Sequence, residues 1–183
     1  TAFIDTFFSY LASELTLNDN LPNFPIYYGS VNGIMKKYNF DISEDYHSFK
    51  GEAWFNKNIG SHFKLDVYES DSDSSDSDDS YDDNEYITVI KNMPTQLFFI
   101  EKLDGILSEL LQNINKDIIL SCLFQVSFAL AYLQKYLQFT HNDLHIDNIM
   151  FQRTDKLFLY YKYNNIYFKI PTHGYIFKII DFG

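Results

Sequence analysis

Three oxygen-bearing side chains stand in an order that suits phosphoryl transfer. Asp143 and Asn148 share the stretch THNDLHIDNIM over 140–150, and Asp181 follows in the terminal KIIDFG after a run of aromatic and β-branched residues. Moving a phosphoryl group from a nucleotide asks little covalent chemistry of a protein. A carboxylate must orient the attacking hydroxyl, and hard oxygen ligands must hold Mg²⁺ on the phosphates. An Asp, an Asn and a second Asp supply that set.

Such residues need elements to position them. The apolar spacing Phe3, Phe7, Tyr10, Leu11, Leu15 predicts an amphipathic helix over 2–15, and the short aromatic run 24–31, bounded by Pro25 and Gly29, predicts a strand. Residues 32–68 carry no pattern that assigns them. Strands are expected at 86–91 and 96–101, split by Met93 and Pro94, and helix at 104–113. Residues 117–138, with Ile118, Ile119, Leu123, Val126, Leu130, Leu133 and Leu137, predict a buried helix of about six turns, capped by Asn115 or Asp117. Beyond His141 the chain reads as β at 149–152, 157–163, 166–170 and 175–180, with Asn164 and Asn165 as a hairpin turn.

At 183 residues, 46% of them hydrophobic, the chain can bury a sizeable core. Its net charge of -11 is concentrated in 69–85, where nine acids and no base stand among serines; elsewhere sixteen acids face fourteen bases. The run predicts a disordered solvated loop or a phosphoacceptor tract, and the near-neutral remainder argues against a nucleic-acid footprint. One cysteine, Cys122, excludes an internal disulfide and is expected to be a buried hydrophobe; a reducing, intracellular setting is the default. No apolar run is expected to reach the roughly 18–20 residues of a membrane span. His47, His62 and His173 are expected at the surface, and the Tyr and Phe residues of 157–170 are expected to pack rather than to stack on bases.

His141, Asp143, Leu144 and Asn148 resemble the HRDLxxxN catalytic loop of protein kinases, and Asp181, Phe182 and Gly183 resemble their DFG motif. Upstream, LFFIEKLDG is similar to the last N-lobe strand and hinge, and LPNFPIYYG to the strand after the N-lobe helix that the family calls αC. The hairpin and the residue usage are similar to kinase-like proteins of large DNA viruses. The resemblance implies a partial α+β protein kinase-like fold: a partial N-lobe over 1–103 with 32–85 as an insertion, and a partial C-lobe over 104–183. It implies ATP and Mg²⁺ as ligands and a protein hydroxyl, Ser or Thr, as acceptor. Asp143 would be the base, Asn148 and Asp181 the Mg²⁺ ligands, and His141 a residue stacked beneath Phe182. Ile100 falls at the gatekeeper; Glu101 and Leu103 would offer backbone groups to adenine, Met150 would pack under it, and Ile180 would join the nucleotide-binding set.

Some positions depart from the family pattern. Asn142 replaces the usual Arg, which speaks against control by activation-loop phosphorylation. His145 stands where serine/threonine kinases carry a Lys near the γ-phosphate, as in haspin-like kinases and in small-molecule kinases of the aminoglycoside and choline type. The partner acid on the N-lobe helix is unassigned, Glu14 lying close to the helix end and Asp5 having the wrong length. The Gly-rich loop, its Lys and an activation segment are expected outside this stretch, so the 183 residues alone are expected not to turn over ATP. A pseudokinase serving as an interaction module and a small-molecule kinase are the rival readings.

Overall fold

The computed structural model describes residues 2–18, 21–69 and 84–182. Gly183 and nearly all of the acidic run 69–85 lie outside the described residues. The chain is mixed α+β. In order it forms α1 (Ala2–Leu17), β1 (Tyr27–Asp41), α2 (Tyr46–Phe49), α3 (Ala53–Asn58), β2 (Phe63–Tyr68), β3 (Glu85–Ile100), β4 (Gly105–Ile106) and α4 (Leu107–Leu110). It continues with α5 (Lys116–Leu137), β5 (Ile149–Arg153), β6 (Phe158–Tyr163), β7 (Ile166–Pro171) and β8 (Tyr175–Ile179). Two compact units result, Thr1–Val31 with Phe98–Gly183, and Asn32–Leu97.

The second unit has its own small core. Ile42, Phe55 and Tyr86 are buried, with Tyr46 stacked on Tyr86 at 3.5 Å between ring centroids. β2 runs antiparallel to β3 from Tyr68↔Glu85 to Phe63↔Ile90, in a sheet ordered β1-β3-β2. β3 is one strand, not the two expected. Its pairing with β2 stops at Ile90, so Pro94 falls where no β2 partner needs its missing N–H, and Asn92 takes up the bend at φ 54°. β1 runs ten residues past the expected end at Val31, because its outer half is mostly exposed and carries no apolar alternation to read.

The first unit is built around α5. Asn115 is the cap: its side-chain oxygen accepts from the N–H groups of Asp117 and Ile118, both at 3.0 Å. Asn115→Ala should therefore lower stability by about 1 kcal/mol, read in urea unfolding, and the thermal midpoint by about 2–4 °C. The buried face of the helix is Ser121, Cys122, Gln125, Val126, Ala129 and Leu133, rotated from the expected one, and Leu123 is 58% exposed. The polar members explain the rotation. Gln125 Oε1 accepts from Phe177 N–H at 2.9 Å, and Gln125 Nε2 donates to the Ser121 hydroxyl and to Tyr175 O. Asn23 Nδ2 donates to Gln125 Oε1 and to Phe177 O, and the Tyr161 hydroxyl donates to Asn23 Oδ1 at 3.0 Å. These contacts bind α5, β6, β8 and the 21–26 segment into one polar knot inside an apolar core. Burial pushes the Tyr161 phenol up and the Cys122 thiol up to about 12.

α5 also corrects the expectation about membrane spans. It is long and apolar enough to cross a membrane by length and mean hydropathy alone, although in this fold its polar face is packed on β8. The face of α1 is likewise shifted. Ser9, Ala12 and Ser13 are buried while Phe3 is 74% and Phe7 56% exposed, because the helix lies against backbone that small side chains let come close.

The expected helix at 104–113 shrinks to α4 and a following 3₁₀ turn, Leu111–Asn113. Before it, Gly105 pairs with Phe151, where a Cβ would lie 3.0 Å from the Phe151 ring. β5 and β8 pair antiparallel from Ile149↔Ile179 to Arg153↔Tyr175. β6 and β7 make a separate hairpin, with Asn164 and Asn165 at φ 48° and 63°, the left-handed pair that a two-residue turn of type I′ requires. Only part of its aromatic set packs: Tyr161 is buried, whereas Tyr160 is 71% and Tyr167 72% exposed.

Candidate functional site

After α5 the chain reverses through Gln138, itself left-handed at φ 52°, and runs through Phe139 and His141 toward the 3₁₀ turn Ile146–Asn148. That turn precedes β5, and the residues after β8 return beside it. Ile180 N–H donates to Asn148 O at 3.0 Å, and His141 Nε2 lies 3.1 Å from Ile180 O. Asn148 Nδ2 donates to Asp143 O at 2.9 Å. The two sequence motifs, distant in the chain, are thus joined by two hydrogen bonds, and the third closes the Asp143–Asn148 loop on itself. Rings complete the junction, with Phe182 5.9 Å from His141, 5.7 Å from Phe139 and 6.0 Å from Phe24 between centroids.

Asn148 is buried and Asp143 exposed, so the loop holds its amide from inside and presents its carboxylate to solvent. Asp181 adds a carboxylate on a backbone held at φ 60°. A non-glycine residue in the left-handed region costs of order 1–3 kcal/mol and persists where the surroundings fix it. An amide oxygen and a carboxylate are hard ligands that fit Mg²⁺, and the donor set at this junction therefore suits that ion. Among the described residues, no group of three or more His, Cys, Asp or Glu side chains is placed to hold a metal.

A cavity of about 320 Å³ opens beside Asp181, lined by Asp5, Ser9, Pro25, Phe98, Ile100, Ile180, Asp181 and Phe182. Ile100, Ile180 and Asp181 thus share one space. Leu103 and Met150 are not among its walls: Leu103 is buried, and Met150 sits in β5 between Ile106 and Lys178. His145 is exposed, and its Nδ1 accepts from Asp147 N–H at 3.2 Å, while Asp147 Oδ1 accepts from Ser108 Oγ at 2.5 Å.

Glu101 points inward. Its Oε2 accepts from Lys178 Nζ at 2.8 Å and from Ile26 N–H at 3.2 Å, and its Oε1 from Gln152 Nε2 at 2.9 Å. Glu101 N–H donates to Ile26 O at 2.7 Å. Lys178, 3% exposed, also donates to Phe24 O. Burial alone would raise the Glu101 carboxyl, but the hydrogen bond and charge of Lys178, with the Ile26 and Gln152 donors, outweigh it and hold the carboxyl below its ordinary value.

Two residues escaped sequence reasoning. Asp5, set aside as too short, accepts the Phe182 N–H at 2.9 Å on Oδ1, where the Ser9 hydroxyl also donates. It ties α1 to the backbone next to Asp181. Its spacing from Ser9, one helical turn, is the signal that could have found it. Lys178 is the other: a lysine inside the apolar run YIFKII has no outward reading unless an acid meets it. Asp5→Ala should leave a buried N–H without a partner and cost about 1–3 kcal/mol, whereas Asp5→Asn, which keeps an acceptor oxygen, should recover most of that in urea unfolding.

No family model matches the chain. It is 44% identical over 85 residues to the uncharacterized protein 098R of Invertebrate iridescent virus 6, covering 42% of this chain and 14% of that protein. It is 42% identical over 66 residues to the putative serine/threonine-protein kinase R301 of Acanthamoeba polyphaga mimivirus, covering 33% of this chain and 17% of that one. To mouse serine/threonine-protein kinase haspin it is 39% identical over 62 residues, 34% of this chain and 8% of haspin. The chain therefore spans well under two thirds of these relatives, and its likeness to serine/threonine kinases is a partial one.

Proposed function

We propose that the chain is part of an ATP-dependent phosphotransferase that moves the γ-phosphoryl group to a serine or threonine hydroxyl of a protein. The observation that carries this reading is the hydrogen-bonded junction of the His141–Asn148 loop with the backbone of Ile180, next to Asp181. An exposed carboxylate and two hard oxygen donors meet there, which is the set phosphoryl transfer needs. Partial likeness to a viral and a mammalian serine/threonine kinase supports the same class.

In this reading Asp143 accepts the proton of the acceptor hydroxyl as its oxygen attacks phosphorus. Asn148 and Asp181 would hold Mg²⁺, which supplies charge neutralisation on the phosphates. With Nδ1 accepting the Asp147 N–H, a neutral His145 carries its proton on Nε2 and donates it toward a phosphate oxygen. Ile100 and Ile180 form apolar wall. The inward anchoring of the Glu101 side chain fixes the segment whose backbone, with Leu103, would meet adenine, and Met150 would pack against that base. The acceptor protein, an intracellular setting and control without the usual Arg beside Asp143 belong to the same proposal.

The test uses the full-length protein that carries this segment. Incubated with Mg²⁺ and γ-labelled ATP, it should place label on serine or threonine of itself or of an added protein mixture, and Asp143→Ala should abolish transfer. Folded, nucleotide-binding protein that transfers no label under these conditions would point instead to an interaction module of the same fold.

A further inference from the structure

The β6–β7 hairpin carries a surface that the phosphotransfer reading does not use. Between 156 and 177 the chain has three lysines and no acid, although its net charge is -11. The inner face of the hairpin, with Leu159, Tyr161, Phe168 and Ile170, belongs to the core around α5. The outer face is exposed, and the register sets Phe158 opposite Pro171, Tyr160 opposite Lys169 and Lys162 opposite Tyr167. Two of these three cross-strand pairs therefore set a ring against an ammonium group. Lys169 Nζ lies 4.0 Å from the Phe158 ring centroid and Lys162 Nζ 5.4 Å from that of Tyr167, so each amine is held over a ring instead of sweeping through solvent.

We propose that this face docks an extended acidic segment of a separate protein partner, with carboxylates or phosphates on alternate residues. Lys162 and Lys169 are diagonal neighbours across the hairpin, with Cα atoms about 7–8 Å apart. Alternate side chains of an extended peptide repeat at about 7 Å, so acids on alternate residues match the spacing of the two lysine positions. The rings between them cover the aliphatic parts of the peptide and lower the local dielectric in which the charges meet. A nucleic acid is the weaker match. The face holds no Arg, and two amines neutralise few phosphates.

Fluorescence anisotropy with a short labelled peptide of alternating aspartate and serine tests the proposal on the 183-residue chain. Binding should weaken steeply with added salt, and the double variant Lys162→Glu/Lys169→Glu should lose about tenfold or more in affinity. Tyr160→Ala should weaken binding without changing its salt dependence. All three side chains are exposed, so circular dichroism should show folding unchanged. The asparagine–serine counterpart of the peptide should not bind. No peptide binding by folded protein, or equal binding by the double variant, overturns the proposal. So does oligothymidylate binding more tightly than the peptide with the same lysine dependence, or concentration-dependent self-association that masks the face and is lost when 69–85 is deleted.

Discussion

Replacing Lys178 with methionine should destabilise the chain by about 3–5 kcal/mol, the loss seen when one partner of a buried ion pair is removed and the other charge stays behind. Glu101 would then be left among Ile26, Gln152 and apolar strands with no cation. A double variant, Lys178→Met with Glu101→Leu, should recover most of the loss, because a buried pair often contributes little more than apolar residues of similar volume. The pH dependence separates the two outcomes. In the native chain the folded-state carboxyl of Glu101 is lowered, so its contribution is complete above the unfolded carboxylate value of about 4.3 and fades as pH falls through the lower folded value. In Lys178→Met burial is opposed only by the Ile26 and Gln152 donors, the carboxyl should rise, and stability should instead improve on mild acidification. Urea unfolding at neutral pH and near pH 5 reads both slopes.

Asp143→Asn in the full-length protein should lower the rate of phosphoryl transfer by about 10²–10⁴-fold and leave Mg²⁺-ATP binding nearly intact. Asp143 is exposed, and only its backbone carbonyl is engaged by Asn148, so the substitution keeps the loop and removes a base. Asp181→Asn should do the reverse, weakening Mg²⁺-ATP binding while sparing Mg²⁺-free nucleotide, because it replaces a charged carboxylate with a neutral amide. Titration calorimetry with and without Mg²⁺, beside single-turnover rates, tells them apart. Equal losses of Mg²⁺-ATP affinity in both variants would show that the two carboxylates do not divide the work in this way.

How far the sequence could be read depended on what each element answers to. The helices α1 and α5, the Asn164–Asn165 turn and the strands after His141 follow from local periodicity and turn chemistry, and they stand where expected to within a residue or two. The buried faces of the two helices do not, because Ser13, Ser121 and Gln125 are chosen by partners elsewhere in the chain. The same holds for Asp5 and Lys178, whose meaning appears only when Phe182 and Glu101 are beside them. Residues 32–68 resisted assignment because their strands are largely solvated and their core is small. At the site, residue types and order pointed to Asp143, Asn148 and Asp181, but not to the two hydrogen bonds that join their segments.

The polar knot of Asn23, Gln125, Tyr161 and Phe177 also sets an order of events. Its bonds span 102, 138 and 154 residues, and the Phe182 N–H reaches Asp5 across 177. Contacts of such range close late, since the loop entropy must be met before they form. During synthesis, α1 and the segment behind it leave the ribosome long before β8 exists, and until then the Asn23 amide lacks its Phe177 partner. Residues made well before β8 are thus among the last to find their places, and α5 with its hairpin is the natural platform on which they wait to be received.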